Sequence, residues 1–207
     1  MAICSRFLAR VGAAALVIGA ALPAGAASLR PVNLPEMVER SNRIFVGRAV
    51  DEWTGRDERG LPATVTTFEV SRTLRGGPLS SVKVKQLGVT SVQPDGLATW
   101  IEGLPRYRRG AEYLLFLAPD SRIGFTSPVG AFQGAFEIRT ADRGRKAALN
   151  GLNNANLLRG VGAEERSRLG LTPERFPFVS KERGPLYLDE LAAMVERLTK
   201  GGGEVSR

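Results

Sequence analysis

The feature that most constrains the fold is a series of apolar, β-prone segments separated by turns that contain glycine and proline. The strongest segment, residues 112–117, is apolar on both faces, which predicts a central strand. The predicted strands, in chain order, are residues 43–53, 63–74, 81–87, 112–117, 124–129 and 131–140. Because no helical pattern separates them, they favour a closed or nearly closed antiparallel barrel of five to six strands over a βαβ sheet.

Two helices flank this barrel in the prediction, so the predicted fold class is mainly β with flanking helices. A short helix over residues 34–41 has a proline at its start, and residues 186–199 form an amphipathic pattern at helical spacing. The chain is therefore predicted to contain an antiparallel barrel domain at residues 27–140. A C-terminal extension at residues 141–207 follows it and ends in the amphipathic helix.

In the strand at residues 63–74, one charged residue falls on the otherwise apolar face. Strict alternation puts Arg72 on the apolar face, and a bulge near Ser71 would turn it outward. In the next strand, Lys83 and Lys85 alternate with valines, which predicts one buried and one wet face.

Within the extension, the segment around Leu157 and Leu158 is turn-prone, and both leucines are expected to dock on the barrel. Residues 160–184 are polar and show no pattern of regular structure.

The first 26 residues are predicted to be a secretory signal peptide. Arg6 and Arg10 lead into an apolar run at residues 11–22, and small residues before position 27 suit cleavage after Ala26. The run is shorter than the roughly 20 apolar residues that cross a bilayer, which disfavours a membrane anchor. No later segment is long and apolar enough to span a membrane. The protein is therefore expected to be exported, to the periplasm or the extracellular space.

Histidine is absent from the sequence, and the only cysteine, Cys4, lies in the predicted signal peptide. A mature chain that begins at Ala27 would have no disulfide, no thiolate nucleophile, no Cys/His zinc site and no catalytic histidine. It would carry 27 basic and 21 acidic residues, a net charge of +6. Such a charge attracts anionic polymers, lipid headgroups and acidic proteins, although scattered cations also serve as a solubilising surface.

A series of turn and strand motifs follow one another along the chain between residues 34 and 140. They are Ser41-Asn42 before the first strand, Phe68-Glu69-Val70 with Leu74-Arg75-Gly76, Val82-Lys83-Val84, Gly110-Ala111-Glu112 before the fourth strand, and Gln133-Gly134. This order resembles the netrin-like domain shared with tissue inhibitors of metalloproteinases, and also a group of exported bacterial proteins of unassigned function. The resemblance implies a five-stranded OB-type barrel.

The inhibitors' chemistry does not follow from this resemblance. They chelate the target's zinc through an N-terminal cysteine and its amine, whereas the mature N-terminus predicted here is Ala27-Ser28-Leu29. No site residue is therefore implied by the resemblance. A protease-inhibitor-like or protease-accessory role is kept as a second hypothesis.

Catalysis without histidine or cysteine is the third hypothesis and is disfavoured. Adjacent carboxylates occur at residues 51–52, 57–58, 164–165 and 189–190. A glycosidase needs two carboxylates that face each other across a cleft, whereas neighbours on a strand point to opposite faces. A Ser-Lys dyad needs a desolvated lysine, but Lys83 and Lys85 are predicted to face water. The sequence therefore predicts no enzyme, no cofactor and no metal site.

The first hypothesis is a non-catalytic binding module that contacts a protein or an anionic envelope polymer through a basic face. OB-type barrels bind ligands on one face and its loops with cations and aromatic side chains, and the expected exported location disfavours nucleic acid. The alternative is a charged edge that prevents strand-to-strand aggregation. The predicted patch is Arg72, Arg75, Lys83, Lys85, Arg106, Tyr107, Arg108 and Arg109.

Overall fold

In the computed structural model, which describes residues 29–93, 96 and 99–201, seven antiparallel strands form one sheet. The predicted signal peptide lies outside the described residues. The strands are β1 Arg43–Arg56, β2 Pro62–Arg75, β3 Ser81–Leu87, β4 Glu112–Leu117, β5 Ala135–Thr140, β6 Lys146–Asn150 and β7 Leu186–Tyr187. Their order in the sheet is β3-β2-β1-β4-β5-β6-β7.

Helices flank this sheet, which confirms the predicted fold class at the level of a mainly β protein with flanking helices. They are α1 Leu34–Glu39, α2 Ala163–Arg168, α3 Phe178–Lys181 and α4 Leu188–Gly201, with short 3-10 turns at Ala131–Gly134 and Asp142–Gly144. The C-terminal helix begins two residues later than predicted because residues 186 and 187 pair with β6 as β7.

The finer prediction of a closed barrel with five to six strands is not confirmed. The sheet is open, and β3 and β7 are its edges. The predicted strand at residues 124–129 is wrong, because this segment forms no regular ladder and only Pro128 makes an isolated bridge to Leu117. Two strands were missed: β6 is rich in alanine and β7 has two residues, so neither carries the β-branched pattern that predicts a strand.

Two apolar clusters lie on opposite faces of the sheet. The inner cluster comprises Phe45, Ala49, Phe68, Val82, Val84, Tyr107, Tyr113, Leu115, Leu117 and Ala135. The helix-side cluster takes the alternate residues Ile44, Leu114 and Phe116, together with apolar side chains of α1 and α4. Because successive side chains of a strand point to opposite faces, β4 supplies both clusters, which confirms that residues 112–117 are apolar on both faces and central.

The extension belongs to the same sheet and the same helix-side cluster. Leu157 and Leu158 are buried in that cluster, as predicted. Residues 160–184, whose structure the sequence left open, contain α2 and α3. Phe176 and Phe178 are also buried in the helix-side cluster, and helices this short depend on such packing rather than on a local pattern.

The bulge predicted near Ser71 is confirmed. Val46 pairs with Arg72 and Gly47 pairs with Val70, so Ser71 is an extra residue in β2. Arg72 is consequently exposed instead of pointing into the apolar core.

Gln133 and Gly134 tie the N-terminal segment to the sheet. The amide of Gln133 accepts a hydrogen bond from the N–H of Val32 at 2.9 Å and donates to the carbonyl of Arg30 at 3.0 Å. A Cβ atom on Gly134 would lie 2.5 Å from the carbonyl oxygen of Val129, so only glycine allows this close approach.

Candidate functional site

A shallow groove of about 670 Å³ lies at the end of the sheet where β4 begins, β5 ends and β6 begins. Among the described residues, its cationic lining consists of Arg48, Arg108, Arg109, Arg139 and Lys146. Glu112 and Glu137 also line it, which leaves an excess of three positive charges. An open site with such an excess attracts anions.

Strand register brings these residues together from distant parts of the chain. Arg48 of β1 lies opposite Glu112 of β4, and Glu112 lies opposite Ile138 of β5. Thr140 at the end of β5 pairs with Lys146 at the start of β6. The groove is therefore a product of the sheet order and not of a local sequence motif.

Glu137 holds two of the guanidinium groups in place. Its carboxylate accepts hydrogen bonds of 2.9 and 3.1 Å from Arg139 and also forms an ion pair with Arg108. The bonds from Arg139, with a further contribution from Arg108, keep the pKa of Glu137 below its usual value of 4.5. Both arginine side chains stay about two-thirds exposed, at 68% and 67%, so they remain accessible to a ligand.

Glu112 organises the opposite side of the groove. Its carboxylate oxygen lies 2.6 Å from Nζ of Lys146. Arg48 donates a hydrogen bond of 2.6 Å to the carbonyl of Gly110, which orients its guanidinium toward the loop before β4. The carbonyl leaves the charge of Arg48 uncompensated, because it is a neutral acceptor.

Arg109 is the least constrained cation of the groove. It is exposed and makes no ion pair or hydrogen bond with the rest of the described chain. An exposed guanidinium without a carboxylate partner presents its donors to solvent, in a geometry that suits carboxylate or phosphate oxygens.

The loop that carries Arg108 and Arg109 is anchored by Tyr107. The ring of Tyr107 packs edge-on against Phe68 and Tyr113, with centroid distances of 5.0 and 5.2 Å. The N–H of Arg108 donates to the hydroxyl of Tyr113 at 2.9 Å. Tyr107 is only 6% exposed, so it is not available at the surface as the predicted patch required. Its burial fixes the backbone of the loop that carries the two following arginines.

Hydrogen bonds to β1 fix the end of the same loop. The N–H of Gly110 donates to the carbonyl of Ala49 at 2.7 Å, and the N–H of Ala49 donates to the carbonyl of Ala111 at 3.0 Å. Gly110 has a φ of +82°, a left-handed conformation that favours glycine. The loop therefore reaches the groove in one defined conformation.

The structure does not bring the eight predicted patch residues together. Arg108 and Arg109 line the groove, whereas Arg106 lies over the ring of Trp100, 4.7 Å from its centroid. Lys83 is exposed on β3, at the edge of the sheet.

Two further arginines of the predicted patch hold helices against the sheet. Arg72 forms an ion pair of 2.5 Å with Glu196 of α4, and Arg75 donates a hydrogen bond of 2.8 Å to the carbonyl of Val38 in α1. Both arginines therefore have a structural role, because they connect the helices to β2.

Lys85 is engaged in an ion pair and does not face water freely. Its Nζ lies 2.8 Å from the Asp57 carboxylate and 3.6 Å from that of Glu58. The hydrogen bond with Asp57 raises the pKa of Lys85 and lowers that of Asp57. A lysine that acts as a general base must be neutral. This pairing therefore opposes the Ser-Lys scheme.

Sequence reasoning missed Arg48, Arg139 and Lys146, together with the two glutamates between them. Each cation is a single basic residue in an otherwise ordinary strand. The only available signal was Gly110-Ala111-Glu112, which marks where the loop meets β4. The strand register that places the other residues beside it is not readable from composition.

Comparison of the sequence with known protein-family models and with curated proteins gave no match to either. Within the part of the chain that the structure describes, no helix has the length and apolar character to cross a bilayer. The same residues include no group of three or more carboxylates placed to hold a metal ion.

Proposed function

We propose that this protein is an exported, non-catalytic binding module that holds a flexible anionic polymer in the cationic groove. The observation that carries the proposal is the convergence of five cations against two carboxylates at one end of the sheet. Three of the guanidinium groups belong to Arg108, Arg109 and Arg139, which are all exposed. Their forked donors suit the oxygens of acidic groups.

A flexible polymer fits this groove better than a folded protein does. Stable protein interfaces are anchored by buried aromatic or aliphatic side chains that fill pockets. The apolar lining of the groove is limited to Ala111 and Ile138, and Ile138 is only 8% exposed. Charge is therefore the main recognition element that the groove offers.

We further propose that β3, β2, β1, β4 and β5 act as a partly open OB-type barrel that displays the groove. Val82 and Val84 of β3 share the inner cluster with Ala135 of β5, so both ends of this five-stranded unit approach the same side chains. The N–H of Thr126 also donates to the carbonyl of Lys85 at 2.8 Å, which links the loop after β4 to the free edge of β3. Such partly open barrels bind ligands on exposed faces and loops.

Retention of the mature chain on immobilised poly-L-glutamate tests the binding proposal. The double variant Arg109→Ser/Arg139→Ser should elute at a clearly lower salt concentration than the unaltered protein, because two groove cations are lost. The control Arg122→Ser/Arg168→Ser removes the same charge from exposed arginines that do not line the groove. An equal decrease in both variants would show that retention follows total charge, and would refute the groove assignment.

Export rests on the predicted signal peptide and has its own test. N-terminal sequencing of the protein recovered from the culture medium or the periplasm should begin at Ala27. Recovery of the intact Met1 terminus in the cytoplasm would contradict this part of the proposal.

A further inference from the structure

A row of apolar side chains lies on the outer face of β1, β2 and β3, away from the inner cluster. Gly55 pairs with Ala63, and Ala63 pairs with Leu87. The bridge between Gly88 and Trp100 places Ile101 beside Leu87 in the same antiparallel register. Three large apolar side chains on this face are exposed, namely Trp53 at 47%, Leu87 at 39% and Ile101 at 38%.

The indole of Trp53 packs over Gly55. A Cβ atom at position 55 would lie only 3.1 Å from Cζ2 of Trp53, so the six-membered ring covers the glycine. Nearly half of the tryptophan side chain nevertheless faces solvent. An aromatic ring with one face packed against the protein and the other face exposed can stack on a ring of a ligand. We call Trp53 on Gly55 the platform.

Polar and charged groups share the face of this platform, since Asp51 precedes Trp53 by two residues and Lys85 pairs with Val65, the partner of Trp53. Oε1 of Gln93 lies 3.7 Å from the same Cβ position on Gly55, and Nε2 of Gln93 donates to the carbonyl of Ser91 at 3.0 Å. Nε2 of Gln93 also donates to the hydroxyl of Ser91 at 3.3 Å. A pyranose ring has an apolar C–H face and a rim of hydroxyl groups, so an indole bordered by amide and hydroxyl groups complements both parts.

The platform and the cationic groove share one face of β1. Arg48 pairs with Glu69 and Trp53 pairs with Val65, and both partners alternate with the inward-facing Phe68 along β2. Trp53 lies five positions after Arg48, which corresponds to at most roughly 16 Å at the usual rise of about 3.3 Å per residue, since the strand is irregular between Ala49 and Asp51. A short run of sugar residues can span this distance.

From this arrangement we propose that the polymer is an acidic polysaccharide, with a pyranose ring stacked on Trp53 while its acidic groups occupy the groove. The inference rests on the proposed function and adds the chemical class of the polymer. It separates a glycan from polyanions without rings, such as acidic polypeptides, because these have no pyranose ring to stack on the indole.

The test compares two polymers with the same acidic group, polygalacturonate and poly-L-glutamate, for binding to the mature chain. Trp53→Ala should weaken binding of polygalacturonate at least about fivefold, the equivalent of about 1 kcal/mol of stacking, and leave poly-L-glutamate binding unchanged. Trp53→Phe keeps an aromatic ring and should retain most of the affinity. Equal effects on both polymers, or no effect on polygalacturonate, would overturn the proposal.

A spectroscopic readout monitors the platform directly. The sequence contains two tryptophans, so Trp100→Phe leaves Trp53 as the sole indole. Its emission should change on addition of polygalacturonate and not on addition of poly-L-glutamate. If Trp53→Ala instead dissociates a dimer without changing glycan affinity, the face is an interface between copies and the glycan proposal is refuted.

The two proposals fail in different ways. Loss of both polymers in the Arg109→Ser/Arg139→Ser variant, with no effect of Trp53→Ala, supports the groove and refutes the platform. Binding of polygalacturonate that needs Trp53 but tolerates the groove variant supports the platform and refutes the groove.

Discussion

Replacement of Asn154 by alanine tests how the C-terminal elements are joined to the sheet. Asn154 is fully buried and follows β6 in a left-handed conformation, with a φ of +57°. Its Nδ2 donates to the carbonyls of Ala148 at 2.8 Å and Gly184 at 2.9 Å. Its Oδ1 accepts from the N–H of Asn150 at 2.9 Å. One side chain thus links β6 to the residue that precedes β7 by two positions.

The expected fall in the free energy of unfolding follows from the backbone groups that Asn154→Ala leaves without hydrogen-bond partners. Each buried polar group that loses its hydrogen bond costs about 1–3 kcal/mol, and Asn154→Ala leaves the backbone groups of Ala148 and Asn150 in that state. The carbonyl of Gly184 is only part-buried and can bond water instead. The left-handed conformation costs alanine about 1 kcal/mol more than asparagine. Taking the lower end of the range for both buried bonds, we expect the free energy of unfolding to fall by about 3 kcal/mol.

Asn153 offers a matched control in the same turn. It has nearly the same conformation, with a φ of +54°, but its side chain is exposed. Asn153→Ala should therefore show only the conformational cost, about 1 kcal/mol. Urea unfolding of the purified protein, followed by fluorescence and circular dichroism, measures both variants by linear extrapolation. Equal losses for the two variants would refute the role assigned to the Asn154 hydrogen bonds.

Three further predictions concern other parts of the fold. Tyr107→Phe should leave the free energy of unfolding unchanged or raise it slightly, since the buried hydroxyl has no partner among the described residues. Tyr107→Ala removes the buried ring and should lower the free energy of unfolding by about 3–5 kcal/mol in the same urea assay. Gly134→Ala should lower the thermal midpoint strongly through its contact with the backbone, whereas Gly162→Ala, which meets nothing within 4 Å, should have only the smaller effect of changing the N-cap residue of α2. Glu137→Gln should destabilise the protein above about pH 4.5. Because the pKa of Glu137 is lowered in the folded state, chiefly by Arg139, the difference from the unaltered protein should vanish as the pH falls below that value; a difference that persisted at low pH would contradict the ion-pair explanation.

Much of the β structure could be predicted because its signal is local. The segments β3 and β4 begin and end where alternation and apolar runs placed them. The bulge at Ser71 was also predictable, since one arginine in an apolar stripe must be turned outward or buried at high cost. β6 and β7 carry no such signal, because their pairing depends on neighbours that are distant in the chain.

The candidate site was predictable only in part, for the same reason. The cluster at residues 106–109 was visible as adjacent basic residues, and two of its arginines do line the groove. Tyr107 was grouped with them, but an aromatic residue between arginines gives no indication of whether it points inward. Packing against Phe68, whose position follows from the pairing of β1 with β2, decides its burial.

The amino-acid sequence by itself determined the mainly β class, the flanking helices and the absence of histidine and of a cysteine beyond Cys4. These properties follow from residue type and short-range alternation. Only the tertiary structure decided that the sheet stays open and that Arg48, Arg139 and Lys146 meet the loop before β4. Strand order and register set those contacts. Both depend on how apolar segments that are distant in the chain pack together and bury their surface from water.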